Sequence, residues 1–381
     1  MHASQWEEVS LITVLALAIY TWLGYPLALW MLRLLFRRRF GRKTNPLRVS
    51  VIIAVHNEEA LVSDKLRDCQ AFDYPRNLIE ILVASDGSSD NTEFIAEEFA
   101  KKDSRIFLVR STGRAGKSGV QNLAVEQTTG DILLFTDAET KIGPSILQRI
   151  VNGFGDERVG LIVPVVHFGR SETSVSKGQG AYWRFELFLR QLESDLGILA
   201  TASGSALAVR RDLYRSLPPQ YGDDCIIPLD VRLAGYEVVQ DSDAIVHDEM
   251  PHSVEGEFRV RVRMTARNWT GILHRRALLN PFRFPVTAWS LLSHKFLRWL
   301  TPFFLVSAFL LNAILALQGR LLPLFALQAC FYLAAAVGWK RSRREHCERI
   351  FGYPFAFCLA NLGFLFGVLR GLRREAVVAY K

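Results

Sequence analysis

The chain has 381 residues, 50% of them hydrophobic, a mean hydropathy of +0.13 and a formal net charge of +8. That is too apolar for an ordinary soluble enzyme and too polar for a transporter built mainly of helices, and the length predicts two or three structural units. The basic balance does not read as nucleic-acid binding, because many cations flank apolar segments and no basic–aromatic interleaving of the base-stacking kind occurs.

Residues 11–36 are almost wholly apolar, with Arg33 near the end. Roughly 20 apolar residues cross a bilayer as a helix, so this segment can span. A cleaved signal peptide would have a shorter apolar core preceded by basic residues. Here Glu7 and Glu8 precede the core, and RRRFGRK (37–43) follows it. The positive-inside rule then places the N-terminus outside and the following residues in the cytoplasm. Residues 1–45 are therefore expected to be an anchor with a basic juxtamembrane segment.

From 46 to 280 the texture changes to strands alternating with helix patterns. Apolar, β-branched runs occur at 48–55, 79–85, 105–110 and 131–136, separated by patterns such as NEEALVSDKLRDC and DNTEFIAEEFAKK. Such alternation predicts an α/β domain with a mostly parallel sheet, whose ligands bind beyond the carboxyl ends of the strands. Those ends are polar: His56 to Glu59, SDGSSDNT (85–92), STGRAGKSGVQN (111–122) and DAET (137–140). Any one could be a turn and a helix cap. Together they supply what holds a sugar, a diphosphate and a divalent metal. Gly113, Gly116 and Gly119, around Arg114 and Lys117, would let the chain approach phosphates closely, though the spacing is not that of a phosphate-loop NTPase. Asp137 and Glu139 are hard oxygen ligands suited to Mg2+ or Mn2+.

Residues 281–300 mix Trp289, Trp299, His294, Lys295 and Arg298 with leucines, which suits an interface helix or an extension of the next span. Apolar segments at 301–318, 320–339 and 351–369 complete the C-terminal region, 301–381. KRSRRE (340–345) carries a cytoplasmic signature. Counting spans, however, places Arg370, Arg373 and Arg374 outside, so either the last segment re-enters or the rule fails there. The expected location is the cell membrane, multi-pass, with a cytoplasmic catalytic domain. The five cysteines (69, 225, 330, 347 and 358) lack paired spacing, which fits a reducing compartment without a disulfide or zinc framework.

VIIAVHNEE, ASDGSSDNT, GRAGKSGVQNLA, GDILLFTDAET, ASGSALAVRRDLY and GDDCIIPLDVRLAGYEVV occur in an order that resembles membrane-bound family 2 glycosyltransferases. These are inverting enzymes of GT-A fold that include synthases of chitin oligosaccharides, poly-N-acetylglucosamine and hyaluronan. The resemblance implies that Ala54, His56 and Glu58 line a nucleobase pocket, that Asp86 holds uridine and that Lys117 lies near the diphosphate. It also implies that Asp137 carries the metal, with Glu139 in place of the family's second Asp or Asn, and that Asp224 is the general base. The donor it implies is a nucleotide-sugar, a UDP-sugar foremost, and the acceptor a lipid-linked or growing glycan. Processive members carry Gln-x-x-Arg-Trp, where this chain has RMTARNW (263–269). That departure leans towards single-sugar transfer over a processive synthase that exports its product.

Asp223 either caps the helix that follows or shares the base role. Arg263 and Arg267 could reach the diphosphate or solvate a helix face. His247 could be a third metal ligand, though a hydrogen-bonded strand-end histidine is the simpler reading. Trp183, Ser203, Gly204 and Ser205 are candidate acceptor contacts, set against core packing for Trp183 and a tight turn for the other three. Two other functions compete: a membrane-tethered nucleotidyltransferase, which leaves the downstream Asp-Asp pair unexplained, and a transporter or receptor, which the few intramembrane charges disfavour.

Overall fold

Strand-forming runs of Val, Ile and Leu pair edge to edge into one eight-stranded sheet. Its strands are β1 (Val49–Val55), β2 (Ile79–Ser85), β3 (Ile106–Arg110), β4 (Ile132–Asp137), β5 (Lys141–Ile142), β6 (Val159–Phe168), β7 (Ala206–Arg210) and β8 (Glu237–Asp248). The spatial order is β3-β2-β1-β4-β7-β6-β8-β5. β3, β2, β1 and β4 are parallel, β7 is antiparallel to both neighbours, and β6–β8 is again parallel. The computed structural model describes residues 3–41, 44–169, 174–249, 253–342 and 348–373. Arg42, Lys43, Arg343, Arg344, Cys347 and Arg374, which entered the charge and cysteine readings, lie outside the described residues.

The helices are α1 (Ala3–Ile19), α2 (Tyr25–Phe36), α3 (Val62–Gln70), α4 (Thr92–Lys102), α5 (Gly116–Glu126), α6 (Ile146–Gly153) and α7 (Ser174–Asp195). They continue with α8 (Asp223–Leu233), α9 (Val254–His274), α10 (Pro285–Ser290), α11 (Leu297–Leu317), α12 (Leu322–Ser342) and α13 (Arg349–Leu372). α3, α4 and α6 cover one face of the sheet, around Val51, Ile53, Leu66 and Ile150. α5 and α8 cover the other, around Ile52, Val120, Phe135 and Ile226. Helices on both faces explain why the central strands carry apolar residues without alternation.

Among the described residues, four helical stretches are long and apolar enough to cross a membrane: Gln5–Phe36, Pro285–Leu317, Leu322–Ser342 and Arg349–Leu372. The first joins α1 and α2 through a π turn, and the second joins α10 and α11 the same way. The segment read as an interface helix is thus the first half of a longer helix. Glu8 pairs with Arg320 and Glu7 accepts from Gln318 at 3.0 Å, setting the start of α1 beside the α11–α12 turn.

α13 differs from the other three. Half of its apolar window is buried, against 11–28% for the others. Gly363, Gly367 and Gly371 form a stripe that lies on Arg261, Thr265 and Trp269 of α9. A Cβ at Gly367 would stand 2.5 Å from the Thr265 Cβ, and one at Gly371 2.8 Å from Trp269 Cδ1. Small residues at this spacing let two helix backbones approach closely. Gly367→Leu should therefore undock α13, lowering the thermal midpoint of the detergent-solubilised protein by an overpacking cost of about 1–3 kcal/mol. Gly143→Ala, where nothing lies within 4 Å of the added carbon, should leave the midpoint unchanged.

Candidate active site

Parallel register brings the strand ends together: Ala54 at the end of β1 pairs with Ala84 on one side and Asp137 on the other. Beyond β2, Asp86 is fully buried, and its carboxylate accepts the backbone N–H of Ala115 at 2.6 Å and of Gly116 at 3.1 Å. Gly116 has φ +73°, a left-handed conformation that few side chains tolerate, and so turns these amides onto Asp86 at the start of α5. An internal carboxylate thus occupies the helix terminus that the glycine-rich loop was expected to offer to phosphates. Arg114 pairs with Asp86 at 3.3 Å and also bonds His56, whose Nδ1 lies 3.0 Å from the Asp86 carbonyl. Glu58 is half-buried beside them, and burial, then Asp137, raises its carboxyl above the usual range.

One lysine holds the centre. Lys117, on the first turn of α5, reaches Asp137 Oδ1 at 2.6 Å and Asp223 Oδ2 at 3.2 Å. Burial alone would pull its ammonium down, but the two carboxylates hold it above the ordinary lysine range. Burial pushes Asp137 up against the opposing pull of Lys117. A second lysine, unmarked by any motif, lies beneath the same loop. Lys65 on α3 is 2% exposed and donates to Thr136 Oγ1 at 2.9 Å and to the Thr140 carbonyl at 2.6 Å, clamping both ends of Asp137–Glu139. Glu139 is exposed on that loop. Among the described residues no three His, Cys, Asp or Glu side chains converge as a ready-made metal cage.

The paired acids of α8 have different surroundings. Asp223 is buried and accepts from Gln121 at 2.7 Å, from Lys117, and from the Asp224 N–H at 3.0 Å. Burial opposes its charge, yet Lys117 and Gln121 keep its carboxyl below the usual range. Asp224 is half-exposed, and burial first, Asp223 second, push its carboxyl up. A Cβ on Gly222 would collide with the Asp224 carboxylate and lie 2.9 Å from Arg267 Nη2, so glycine there gives both groups their space. A Cβ added at Gly204 would lie 3.8 Å from Asp224 Oδ2, in ordinary contact. Arg263 and Arg267 share a face of α9 at i,i+4 spacing. Arg263 is half-buried and lowered by burial and then by Arg267.

The other candidates have defined places. Ser203 is buried, and the buried Ser205 donates its hydroxyl to Asp248 Oδ2 at 2.5 Å. Strand alternation puts Asp248 on this side of β8 and His247 on the other, where His247 meets the His167 ring at 5.9 Å. Trp183 packs edge-on to Phe168 at 5.1 Å. Trp269 is 8% exposed between Phe296 and Trp299, away from solvent.

Residues 50–217 match the family model described as Glycosyl transferase family 2. The chain contains a family 2 glycosyltransferase domain. The domain is 31% identical over 171 residues to a beta-monoglucosyldiacylglycerol synthase of Trichormus variabilis, covering 44% of this chain and 36% of the relative. It is 23% identical over 221 residues to a poly-beta-1,6-N-acetyl-D-glucosamine synthase of Staphylococcus epidermidis, covering 56% of this chain and 53% of the relative. The matched region thus spans between about a third and just over half of these relatives' length. In structure the chain is similar to a mannosyltransferase of Pyrobaculum calidifontis solved in complex with GDP-Man and Mn2+. The TM-score is 0.77 at 22% identity, covering 97% of this chain and 99% of that one, and the shared fold is the GT-A fold.

Sequence reasoning missed Lys65, Gln121 and Asp248. Lys65 shows in the sequence only as part of a helix face, and the one available signal is a lysine on the apolar stripe of α3. In the glycosyltransferase domain its burial lowers the ammonium to about 8 from the usual 10.5. Between those values the folded chain holds fewer protons at this site than the unfolded chain, so this site's contribution to stability rises with pH. Relative to Lys65→Met, the wild type should gain up to about 3 kcal/mol as pH climbs from 8 towards 10, measurable from the two thermal midpoints.

Proposed function

We propose that this chain is a membrane-anchored, inverting glycosyltransferase that moves one sugar from a nucleotide-sugar to a lipid-linked or glycan acceptor. The observation that carries the reading is the division of labour at the start of α8. Asp223 is committed to Lys117 and Gln121, whereas Asp224 is half-exposed beside Gly204 with a carboxyl raised towards proton-accepting strength. A base poised in this way removes the acceptor's hydroxyl proton as the oxygen attacks. Lys117, Arg263 and Arg267 supply positive charge where a leaving diphosphate gathers negative charge. The pocket of Ala54, His56, Glu58 and Asp86 receives the base and ribose, with a UDP-sugar as our reading of the donor.

The residues fit a divalent ion, Mg2+ or Mn2+. Asp137 spends one oxygen on Lys117, and both it and Glu139 are hard oxygen donors within reach of solvent at the strand end. When bound, such an ion supplies Lewis-acid charge at the diphosphate. Trp269, buried against the apolar helices, is unavailable to stack on a growing chain, which favours single-sugar transfer. For topology, we propose that the catalytic domain is cytoplasmic and that α13 docks on α9 without crossing. That arrangement keeps Arg370 and Arg373 on the cytoplasmic side, in accord with the positive-inside rule.

Asp224→Asn should abolish transfer while nucleotide-sugar affinity stays within a few-fold of wild type; full turnover by the variant would remove Asp224 from its role. Because the Asp224 carboxyl is raised, kcat/KM should fall on acidification through a value above the ordinary aspartate range, and a flat profile down to that range would contradict the base assignment. Excess chelator should stop release of nucleotide, Mg2+ or Mn2+ should restore it, and Asp137→Ala should be refractory to both ions.

A further inference from the structure

One face of α7 carries Tyr182, Phe185, Glu186 and Arg190 at i, i+3, i+4 and i+8 spacing, and its surroundings change character along that line. At the Tyr182 end lies a cavity of about 160 Å³ whose wall is almost wholly apolar, lined by Trp22, Tyr182, Phe185, Tyr353 and Phe357. Trp22 comes from the first membrane-length helix, and Tyr353 and Phe357 come from the last. A cavity with so few polar partners does not hold water well. The cavity thus lies between helices of membrane length. Arg261, stacked 4.2 Å over Tyr182, and its partner Glu257 are the charged residues in its lining.

At the other end of the line the chemistry reverses. Glu186 receives Arg190 at 3.2 Å, Lys295 at 2.8 Å, His294 at 3.1 Å and also Arg298. The opposite nitrogen of His294 meets Glu193 at 2.8 Å. Three cationic side chains, Arg190, Lys295 and Arg298, thus converge on one buried carboxylate, Glu186, while Glu193 is taken up by His294, Tyr25 and Ser290; buried positive charge in excess is costly unless an anion completes it. The hydrogen bonds are incomplete in the same sense. Arg190 Nη1, Arg298 Nε and Trp183 Nε1 are buried without a partner, and Arg190 and Arg298 are 4% and 2% exposed. All three are donors only, so what is missing is an acceptor. Arg298 rests on the rings of Trp22 and Phe185, each at 5.3 Å, which are the walls of the cavity. Arg190 acts electrostatically on Asp224. Cavity, cationic cluster and candidate base therefore follow one another along one side of the domain.

We infer that this line is an acceptor site for a phosphate-bearing lipid, with the hydrocarbon chain in the aromatic cavity and the phosphate at Arg190, Lys295 and Arg298. The inference rests on the transferase reading above and names the acceptor class for it. A neutral lipid would fill the cavity but leave the excess charge and the orphan donors as they are.

The test uses the full chain in neutral detergent and three probes: dodecyl phosphate, dodecanol and inorganic phosphate. Dodecyl phosphate should bind at least tenfold more tightly than either of the others. Lys295→Gln should weaken it about tenfold without changing dodecanol, and Ala356→Phe, which fills the cavity wall, should weaken both amphiphiles. Equal binding of dodecanol and dodecyl phosphate would overturn the phosphate site. Equal binding of inorganic and dodecyl phosphate would overturn the chain site. Both of these comparisons use wild-type protein, so they decide the matter even where a variant fails to fold. Nucleotide-sugar binding on the same preparation tests the parent reading separately: a chain that takes dodecyl phosphate but no nucleotide-sugar keeps this site and loses the transferase reading.

Discussion

The bond from Lys117 to two carboxylates is the interaction on which the rest of the site depends. Asp137 ends β4 and Asp223 begins α8, and these elements lie far apart in sequence. Each carries a charge that burial alone would not tolerate. Lys117 neutralises both while standing on the first turn of α5, so strand end, helix start and glycine loop hold one another in place. Removing it would leave the buried Asp223 and the half-buried Asp137 without their shared counter-charge, a larger cost than the loss of one surface ion pair. The same contacts separate the roles of the adjacent acids: Lys117 pairs directly with Asp223, whereas Asp224 stays half-exposed with its carboxyl raised by burial and by Asp223.

A second set of contacts ties this centre to the apolar helices. α9 carries Arg263 and Arg267 towards the paired acids, and along another face it receives the glycine stripe of α13. α7 does the same through Glu186 and Glu193, which bind His294, Lys295, Arg298 and Tyr25 from the two longest apolar helices. Domain and apolar helices are thus joined by buried charge and close backbone packing, which constrain orientation far more tightly than apolar contact alone.

Much of the catalytic domain was legible because its signals are local. A β-branched run buried on both faces, a polar strand end and a capped helix each announce themselves within about ten residues, and the four parallel strands lie where the runs predicted. Lys65 was illegible for the opposite reason: its partners Thr136 and Thr140 are some seventy residues away, and a lysine on a helix face ordinarily points to water. The interface-helix reading of 281–300 met the same limit. Composition marks where a helix meets a membrane surface but not whether that helix continues through a π turn into the next span.

By itself the sequence determined the class of the sheet, the edge that carries the chemistry, the number of membrane-length segments and the residue types available to hold a diphosphate. These follow from periodicity and composition, which operate over a few turns of chain. The tertiary structure alone decided which acid of the pair is committed and which is open. It also decided that the glycine loop wraps Asp86 and that the last apolar helix lies along α9. Each of those outcomes is a competition for burial and counter-charge between segments distant in sequence, and only the folded chain brings the competitors together.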